Sequence, residues 1–324
     1  MNKRDTIAAL LVLSAAPFAA FAQQPGKVWR IGMLETTSMT QNAVNLNAFV
    51  TGMQELGYVE SRNFVIDYRS ADGRNERFPD LASELIRGKV DLILTRGTPA
   101  TLAAKAATTT IPVVATATAD PLQFASSLAR PGGNITGLTP INTELFGKRV
   151  QLLREIFPGL ARFGYLQNMG NTSTVLGWRE LENAARSLGV LAQRLDVRKP
   201  EDLGPAFEFA VNQHVNAIVV GQDGLIQANG KYIIALAVKH RLPAIYQARE
   251  FVVDGGLISY GVSYPDLYRR AASYVDRILK GARPGDLPIE QPTKFELVIN
   301  LKTAKALDIA IPQSVLVRAD ELIQ

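Results

Sequence analysis

The chain contains no cysteine and only two histidines, His214 and His240. The absence of cysteine excludes disulfides, thiolate nucleophiles and cysteine metal ligands. The two histidines belong to different predicted helices and do not supply a dedicated metal site. We therefore expect neither a metal nor another cofactor. An acylated lipoprotein would also need a cysteine directly after its signal, where Gln23 stands.

Long apolar runs are confined to the N-terminus. Lys3 and Arg4 precede an apolar run that begins at Ile7 and ends in the small-residue pattern Ala20-Phe21-Ala22. The run is shorter than the ~20 residues of a membrane span, so we predict a secretory signal peptide over residues 1–22, cleaved after Ala22. A membrane anchor or a buried helix is the alternative. The mature protein is then expected in the periplasm and not embedded in a membrane.

The chain also lacks a strong excess of charge of either sign. The formal net charge is +5, from 35 basic and 30 acidic residues spread along the chain. No basic run with interleaved aromatic residues occurs, so we predict no nucleic-acid partner. Apolar residues make up 47% of the chain, and its length is sufficient for two domains with ordinary cores.

The segment from Asp91 to Leu138 contains two copies of the same predicted unit, a strand followed by a helix. Its pattern predicts a strand to Thr95, a helix over 99–107, a strand over 111–115 and a helix over about 122–129. Thr98-Pro99 and Asp120-Pro121 each place a capping side chain before proline, which is typical of a helix start. Alternating strands and helices predict a parallel sheet.

In open parallel sheets, ligands bind beyond the carboxyl ends of the strands. Two helix N-termini are predicted to meet there, and the hydroxyls of Thr98, Thr116 and Thr118 lie close by in the sequence. Unpaired backbone N–H groups and the helix dipole favour an anion, so the sequence predicts a carboxylate or phosphate site. The alternative is that each threonine only caps or ends an element.

The same alternation continues on both sides of this segment. Strand and helix patterns before it complete a first lobe, and the alternation restarts after Pro140. The predicted fold class is α/β, with two doubly wound parallel-sheet lobes. Periodicity leaves open the path of the C-terminal tail between the lobes.

Several segments resemble the type I periplasmic substrate-binding proteins of ABC transporters, in the branch that includes tryptophan- and tyrosine-binding proteins. The matching segments are spread over nearly all of the mature chain. They are Leu56-Gly57-Tyr58 with Asn63, Gly97 to Ala100, Ile111 to Val114, Asp120-Pro121, Pro131 to Gly137, Asp223, Leu242-Pro243, Gly281 to Pro284, Asn300 and Ile311-Pro312.

The resemblance implies two lobes joined by about three crossover strands that close on a ligand. It places lobe one at residues 28–140 plus about 247–285, and lobe two at 141–246 plus about 286–324. It implies a monomeric solute-binding component of an ABC importer, with a small carboxylate ligand (an amino acid or an aromatic acid) and a transporter permease as partners. The implied ligand-binding residues are Thr37, Ser38, Met39, Thr98, Thr116, Thr118, Asn168, Asn171, Asp223 and Tyr246.

Asp223 and Tyr246 each have a second interpretation. The family position suggests that Asp223 accepts the ammonium group of the ligand, whereas the alternative is a helix N-cap or a solvated loop acid. Tyr246 and Tyr260 stack on a ligand ring or pack in the core. The chain also departs from the aromatic-amino-acid members, which carry a His-Pro type sequence where residues 36–39 stand here, and often a threonine at Ala119. Both departures leave the identity of the ligand open.

Two other functions are compatible with the sequence. A periplasmic sensor of the same fold would present its loaded form to a signalling receptor. A secreted hydrolase would need a nucleophile and a base. Gly261-Val262-Ser263-Tyr264-Pro265 begins like a nucleophile elbow but lacks its last glycine. We therefore predict a binding protein and not an enzyme.

Overall fold

The computed structural model describes residues 27–140, 144–171, 174–292 and 295–324. Its first sheet has five parallel strands in the order β2-β1-β3-β4-β5. The strands are β1 (Trp29–Glu35), β2 (Phe64–Ser70), β3 (Leu92–Thr95), β4 (Val113–Ala115) and β5 (Ile135–Gly137). Because the strands are parallel, their carboxyl ends share one edge of the sheet.

Three helices that follow strands of this sheet cover its faces: α1 (Ala43–Glu55), α2 (Phe78–Arg87) and α3 (Thr98–Ala107). Helix α2 shows why the sequence folds this way. Phe78, Leu81 and Leu85 recur at helical spacing and are buried against the sheet, and the helix ends at Gly88. Strand β3 is buried along its whole length, as expected for a strand covered on both faces.

The second sheet has seven strands in the order β12-β11-β10-β9-β8-β6-β7, and its β10–β11 pair is antiparallel. Its strands are β6 (Arg162–Asn168), β7 (Leu191–Val197), β8 (Ala217–Val220), β9 (Ala244–Tyr246), β10 (Ile258–Val262), β11 (Phe295–Asn300) and β12 (Glu321–Ile323). The helices between Glu144 and Val253 are α4 (Glu144–Ile156), α5 (Thr174–Ser187), α6 (Leu203–Asn212), α7 (Gly224–Ala228), α8 (Gly230–Lys239) and α9 (Arg249–Val253). The predicted α/β class with two parallel-sheet lobes is confirmed.

Helix α10 (Tyr264–Leu279) packs against α1 of lobe one, although it follows β10 of lobe two in the sequence. The tyrosine hydroxyl of Tyr58 donates to Asp276 at 3.1 Å, and Arg269 pairs with Glu55. A Cβ at Gly52 would lie 2.7 Å from the carbonyl oxygen of Arg269, so glycine permits the close approach. Two short helices, α11 (Leu301–Ala306) and α12 (Gln313–Leu316), complete lobe two.

The chain passes between the two sheets three times: between β5 and α4, at Ser263, and between Glu290 and β11. The sequence prediction assigned 247–285 to lobe one, and sheet membership divides that range. Residues 249–262 contain α9 and β10. These elements belong to lobe two, because β10 lies between β9 and β11 in the second sheet. Residues 286–290 stay with lobe one, where the Leu287 carbonyl accepts from Thr136 at 2.7 Å and the Glu290 carbonyl accepts from the Thr139 amide at 2.9 Å.

The predicted helix over 122–129 is wrong. The structure has a single 3-10 turn, Pro121–Gln123, followed by irregular chain. The Ser127 hydroxyl accepts from the Arg130 amide at 3.1 Å, and the Ser126 amide donates to Pro131. Serine side chains that bond nearby backbone compete with helix formation, which explains the difference.

Candidate ligand-binding cleft

A narrow cleft, with a cavity volume of about 30 Å³, lies where the carboxyl ends of the two sheets face each other. We call it the first cavity. Lobe one contributes the ends of β1, β3 and β4 together with Tyr264 at the start of α10, and lobe two contributes the ends of β6 and β8. The lining residues are Thr36, Asn75, Arg96, Gly97, Thr98, Pro99, Ala117, Ala119, Asn171, Gln222, Asp223, Gly224, Gln227 and Tyr264.

The N-terminus of α3 forms part of the lobe-one wall. Gly97, with φ of 84°, is the residue that precedes the helix, and no side chain caps it. Thr98 is the first helical residue. Its hydroxyl accepts from the Ala119 amide at 3.0 Å and lies 3.2 Å from the Thr118 hydroxyl. The predicted capping role of Thr98 is therefore wrong, and the first-turn N–H groups of α3 face the cleft without a side-chain partner.

Thr116 and Thr118 support this wall from behind. The Thr116 hydroxyl donates to the Thr95 carbonyl at 2.8 Å, and both threonines are fully buried. Neither lines the first cavity. The second predicted helix N-terminus, after Asp120, is the single 3-10 turn, so of the two predicted helices only α3 supplies a helix dipole.

Arg96 brings a buried positive charge to the cleft. Its guanidinium lies 4.4 Å from the Tyr264 ring centroid, and its Nη1 donates to Asn42 Oδ1 at 2.9 Å. Burial disfavours the charge, but the oxygens of Tyr268, Tyr264, Glu35 and Glu250 raise the pKa of Arg96 above its ordinary value. Arg96 therefore carries a full positive charge at neutral pH.

Glu35, at the end of β1, stands behind Arg96. The Tyr268 hydroxyl lies 2.7 Å from both carboxylate oxygens of Glu35, and the carboxyl is completely buried. Burial raises the pKa of Glu35 to about 7, against the opposing effects of Arg96 and Tyr268. The charge of this group therefore changes near neutral pH.

Asp223 is the acidic group of the lobe-two wall. Its carboxylate caps α7 by accepting from the Leu225 amide at 2.8 Å, and it also accepts from Asn168 at 2.7 Å and Asn171 at 2.9 Å. Burial raises the pKa of Asp223 by more than these hydrogen bonds lower it, so the pKa lies above its ordinary value. The structure thus brings three predicted residues together, with Asp223 both a helix cap and a lining residue of the cleft.

The remaining predicted residues lie elsewhere. Thr37 is buried, and its carbonyl accepts from the Tyr68 hydroxyl at 2.8 Å. Ser38 bonds Gln41, and Met39 is half exposed. Tyr246 stacks on Phe251 at 4.9 Å between ring centroids, inside the core. None of Ser38, Met39 and Tyr246 lines the first cavity.

Four polar lining residues were not singled out from the sequence: Asn75, Arg96, Gln227 and Tyr264. Arg96 had a usable signal, because a charged residue directly after a fully buried strand and before glycine lies at the ligand edge of a parallel sheet. Gln222 donates to the Tyr264 hydroxyl across the cleft. Tyr264 follows the crossing at Ser263, which no periodic pattern marks.

A second, larger cavity, with a volume of about 570 Å³, shares lining residues with the first. Arg96 and Gln227 line both. Its floor is formed by buried or half-buried residues and its mouth by exposed ones, among them Lys231, Tyr232 and Asp254. The full lining is Thr37, Thr40, Gln41, Asn45, Arg96, Gln227, Ala228, Asn229, Gly230, Lys231, Tyr232, Glu250, Phe251 and Asp254.

Within the described ranges, no group of three or more histidine, aspartate or glutamate side chains is placed to hold a metal ion. Nor does any helix in that part of the chain have the length and apolar composition of a membrane span. The polar groups of the cleft are hydrogen-bonding and charged groups suited to a small organic molecule.

The family model of the ABC transporter substrate binding proteins matches residues 31–323. The chain belongs to this family. A curated relative, the tyrosine-binding protein of Clostridioides difficile, is 26% identical over 263 residues, which cover 81% of this chain and 75% of the relative.

Solved structures agree in fold. A conserved domain protein of Vibrio cholerae is 27% identical with a TM-score of 0.86, covering 91% of this chain and 100% of that one. An ABC domain of Streptococcus pneumonia in complex with L-Trp is 26% identical with a TM-score of 0.85, covering 92% and 100%. The leucine binding protein of Thermotoga maritima, at 14% identity and a TM-score of 0.60 over 86% and 87%, shows the fold alone.

Proposed function

We propose that this protein is the periplasmic solute-binding component of an ABC importer and that it binds an amino acid in the first cavity. The observation that carries the proposal is the opposite charge of the two walls. Lobe one presents the Arg96 guanidinium and the N-terminus of α3, and lobe two presents the Asp223 carboxylate. The amino acid and aromatic ligands named for two relatives support the same class.

A zwitterion fits these walls in one orientation. Its carboxylate faces the α3 N-terminus, where backbone N–H groups and the helix dipole favour an anion. Its ammonium group faces Asp223, which already accepts hydrogen bonds from both asparagines and a backbone amide. One ligand then contacts both lobes, and its binding energy favours the closed arrangement over an open one. An aromatic acid without an amine lacks the second contact.

The proposed role as an importer component includes an address and a partner. The N-terminal residues that predict a signal peptide lie outside the described residues. Cleavage after Ala22 would release the protein into the periplasm. There the loaded form would deliver its ligand to a transporter permease.

The test replaces Asp223 by Asn. If the ligand is an amino acid, its desolvated ammonium group loses its charged partner, and we expect the affinity measured by calorimetry to fall about a hundredfold or more. A ligand without an amine should bind the variant equally well or more tightly, because an anion no longer faces a carboxylate. Tighter amino acid binding by the variant would contradict the proposal.

Asp308→Asn is the matched control. It makes the same change of charge on lobe two, at an exposed position after α11 that lies outside both cavities. We expect wild-type affinity for this variant. Because Asp223 also caps α7, thermal unfolding of both variants should be measured, and the affinity loss should exceed what the change in stability explains.

A further inference from the structure

The floor of the second cavity carries buried polar atoms that have no hydrogen-bond partner. These atoms are Asn45 Oδ1, Arg96 Nε and Glu250 Oε1. Asn45 and Arg96 are only 3% and 5% exposed. Buried polar groups in folded proteins nearly always have a hydrogen-bond partner. The three unpaired atoms in this cavity therefore indicate that it binds a polar ligand.

The hydrogen-bond network fixes which atoms are free. Arg96 can only donate, so the Asn42 atom that receives its bond must be the side-chain oxygen. The same oxygen receives the bond from Asn45, so the contacting atom of Asn45 must be its amide nitrogen. The Asn45 side-chain oxygen is therefore the free atom. Two of the three free atoms, on Asn45 and Glu250, are hydrogen-bond acceptors.

We propose that the ligand of this protein is an amino acid with an elongated side chain, whose end donates hydrogen bonds to Asn45 and Glu250 in the second cavity. This inference rests on the proposed function, which places the amino and carboxylate groups in the first cavity. Arg96 and Gln227 line both cavities, so the proposed side chain would extend past these two residues to enter the second cavity. Asn45 belongs to α1 of lobe one and Glu250 to α9 of lobe two.

The unpaired acceptors also select against other amino acids. An indole ring or an aliphatic chain in the second cavity would exclude water from Asn45 and Glu250 without offering them donors. A site built around hydrogen-bonding groups discriminates strongly against ligands that lack the complementary groups. Arg96 Nε offers one donor in the same floor, so an end group with both donors and a carbonyl oxygen fits best.

Calorimetry with the wild-type mature protein at neutral pH tests the ligand class. The probes are L-glutamine, L-citrulline and L-arginine, compared with L-norleucine and L-tryptophan. We expect at least one of the first three to bind about tenfold or more tightly than both comparison amino acids. Equal or tighter binding of norleucine or tryptophan would overturn the inference.

Glu250→Gln tests the residue assignment, with Asp254→Asn as its matched control. Both remove one negative charge from the second cavity, but Asp254 is exposed at the mouth and holds none of the free buried atoms. We expect Glu250→Gln to weaken the preferred polar probe about tenfold and to leave norleucine unchanged. An equal effect of the two variants on the polar probe would overturn the assignment.

The two proposals fail in different ways. If norleucine binds and Asp223→Asn weakens its binding, but no polar probe binds more tightly, the proposed function stands and this inference is wrong. If no amino acid of the panel binds, the proposed function itself is wrong, and the inference is wrong with it.

Discussion

Glu35 is a single carboxyl group whose surroundings make the protein sensitive to pH. It is fully buried, and burial raises its pKa from 4.5 to about 7. Below pH 4.5 the group is protonated in both the folded and the unfolded chain. Above pH 7 it is ionised in both, and the folded state then bears the full cost of a buried charge. Its contribution to stability therefore falls as the pH rises between these values.

Glu35→Gln should remove this pH dependence. The shift in pKa corresponds to ~3 kcal/mol, so we expect the free energy of unfolding of the variant, relative to wild type, to rise by about that amount from pH 4.5 to pH 8. Urea denaturation at a series of pH values measures the difference. Parallel curves for the two proteins would show that Glu35 does not titrate in this range.

Thr98 links the ligand wall to the loop after β4. Thr98→Val removes the acceptor of the Ala119 amide and leaves that partly buried group unpaired. We expect unfolding stability to fall by ~1–3 kcal/mol and amino acid affinity to fall about tenfold, because the wall that presents the α3 N-terminus shifts. Thr98→Ser keeps the hydroxyl and should restore most of both in thermal unfolding and calorimetry. If Thr98→Ser lost as much stability and affinity as Thr98→Val, the hydroxyl would not account for the effect.

The sequence predicted the lobe-two charge of the cleft but not the lobe-one charge. Asp223, Asn168 and Asn171 each follow or end a strand, and the structure brings them into one hydrogen-bonded group. Arg96 also follows a strand, but its role depends on the rings of α10, which is distant in the sequence. Contacts between distant segments leave no mark in local spacing, so the sequence indicates that Arg96 lies at the edge of the sheet but not that it contacts these rings.

Among the helices and strands, long amphipathic or fully buried segments were predictable and short ones were not. Helix α2 and strand β3 follow their hydrophobic patterns closely. Helices α7 and α9 have five residues each, too few for a period to show, and both were missed. In the 122–129 segment, apolar residues at helical spacing were outweighed by the local hydrogen bonds of Ser126 and Ser127 with the backbone.

The lobes to which β10 and α10 belong could not be predicted from the local sequence pattern either. Residues 257–262 have a strand-like sequence pattern and residues 268–279 a helical one, but the assignment of these two elements to lobes depends on which sheet has room for the strand. Strand β10 pairs with β9 on one side and β11 on the other, and α10 then returns to α1. Such partner choice is decided by tertiary packing.

In the molecule as a whole, the two lobes touch where α7 meets lobe one. A Cβ at Gly224 would lie 2.9 Å from Thr36 Cγ2, and one at Gly73 would lie 2.8 Å from the Ala228 Cβ. Gln41 donates to the Ala228 carbonyl at 3.4 Å across the same contact. Glycine at these positions allows the lobes to approach, so the structure corresponds to a closed arrangement of the cleft.

Gly224→Ala should hinder closure without harming either lobe. Alanine favours a helix over glycine by up to ~1 kcal/mol, so unfolding stability should stay level or rise slightly. Ligand affinity should fall about tenfold, because the added methyl group meets Thr36 only when the lobes are together. Small-angle scattering should show less compaction on addition of ligand. Gly147→Ala, whose Cβ would meet only Ala184 at 3.7 Å, is the control and should behave as wild type.

The packing of α10 on α1 also constrains the order of events during synthesis. The buried face of α1, including Phe49 and Met53, shares one core cluster with Leu267, Tyr268 and Ala271 of α10. Roughly 200 residues separate the two helices, and contacts of such long range form slowly. Lobe one therefore cannot complete its core until most of the chain has left the ribosome. This delay suits the export proposed above, because an incompletely folded chain can still thread through a translocation channel.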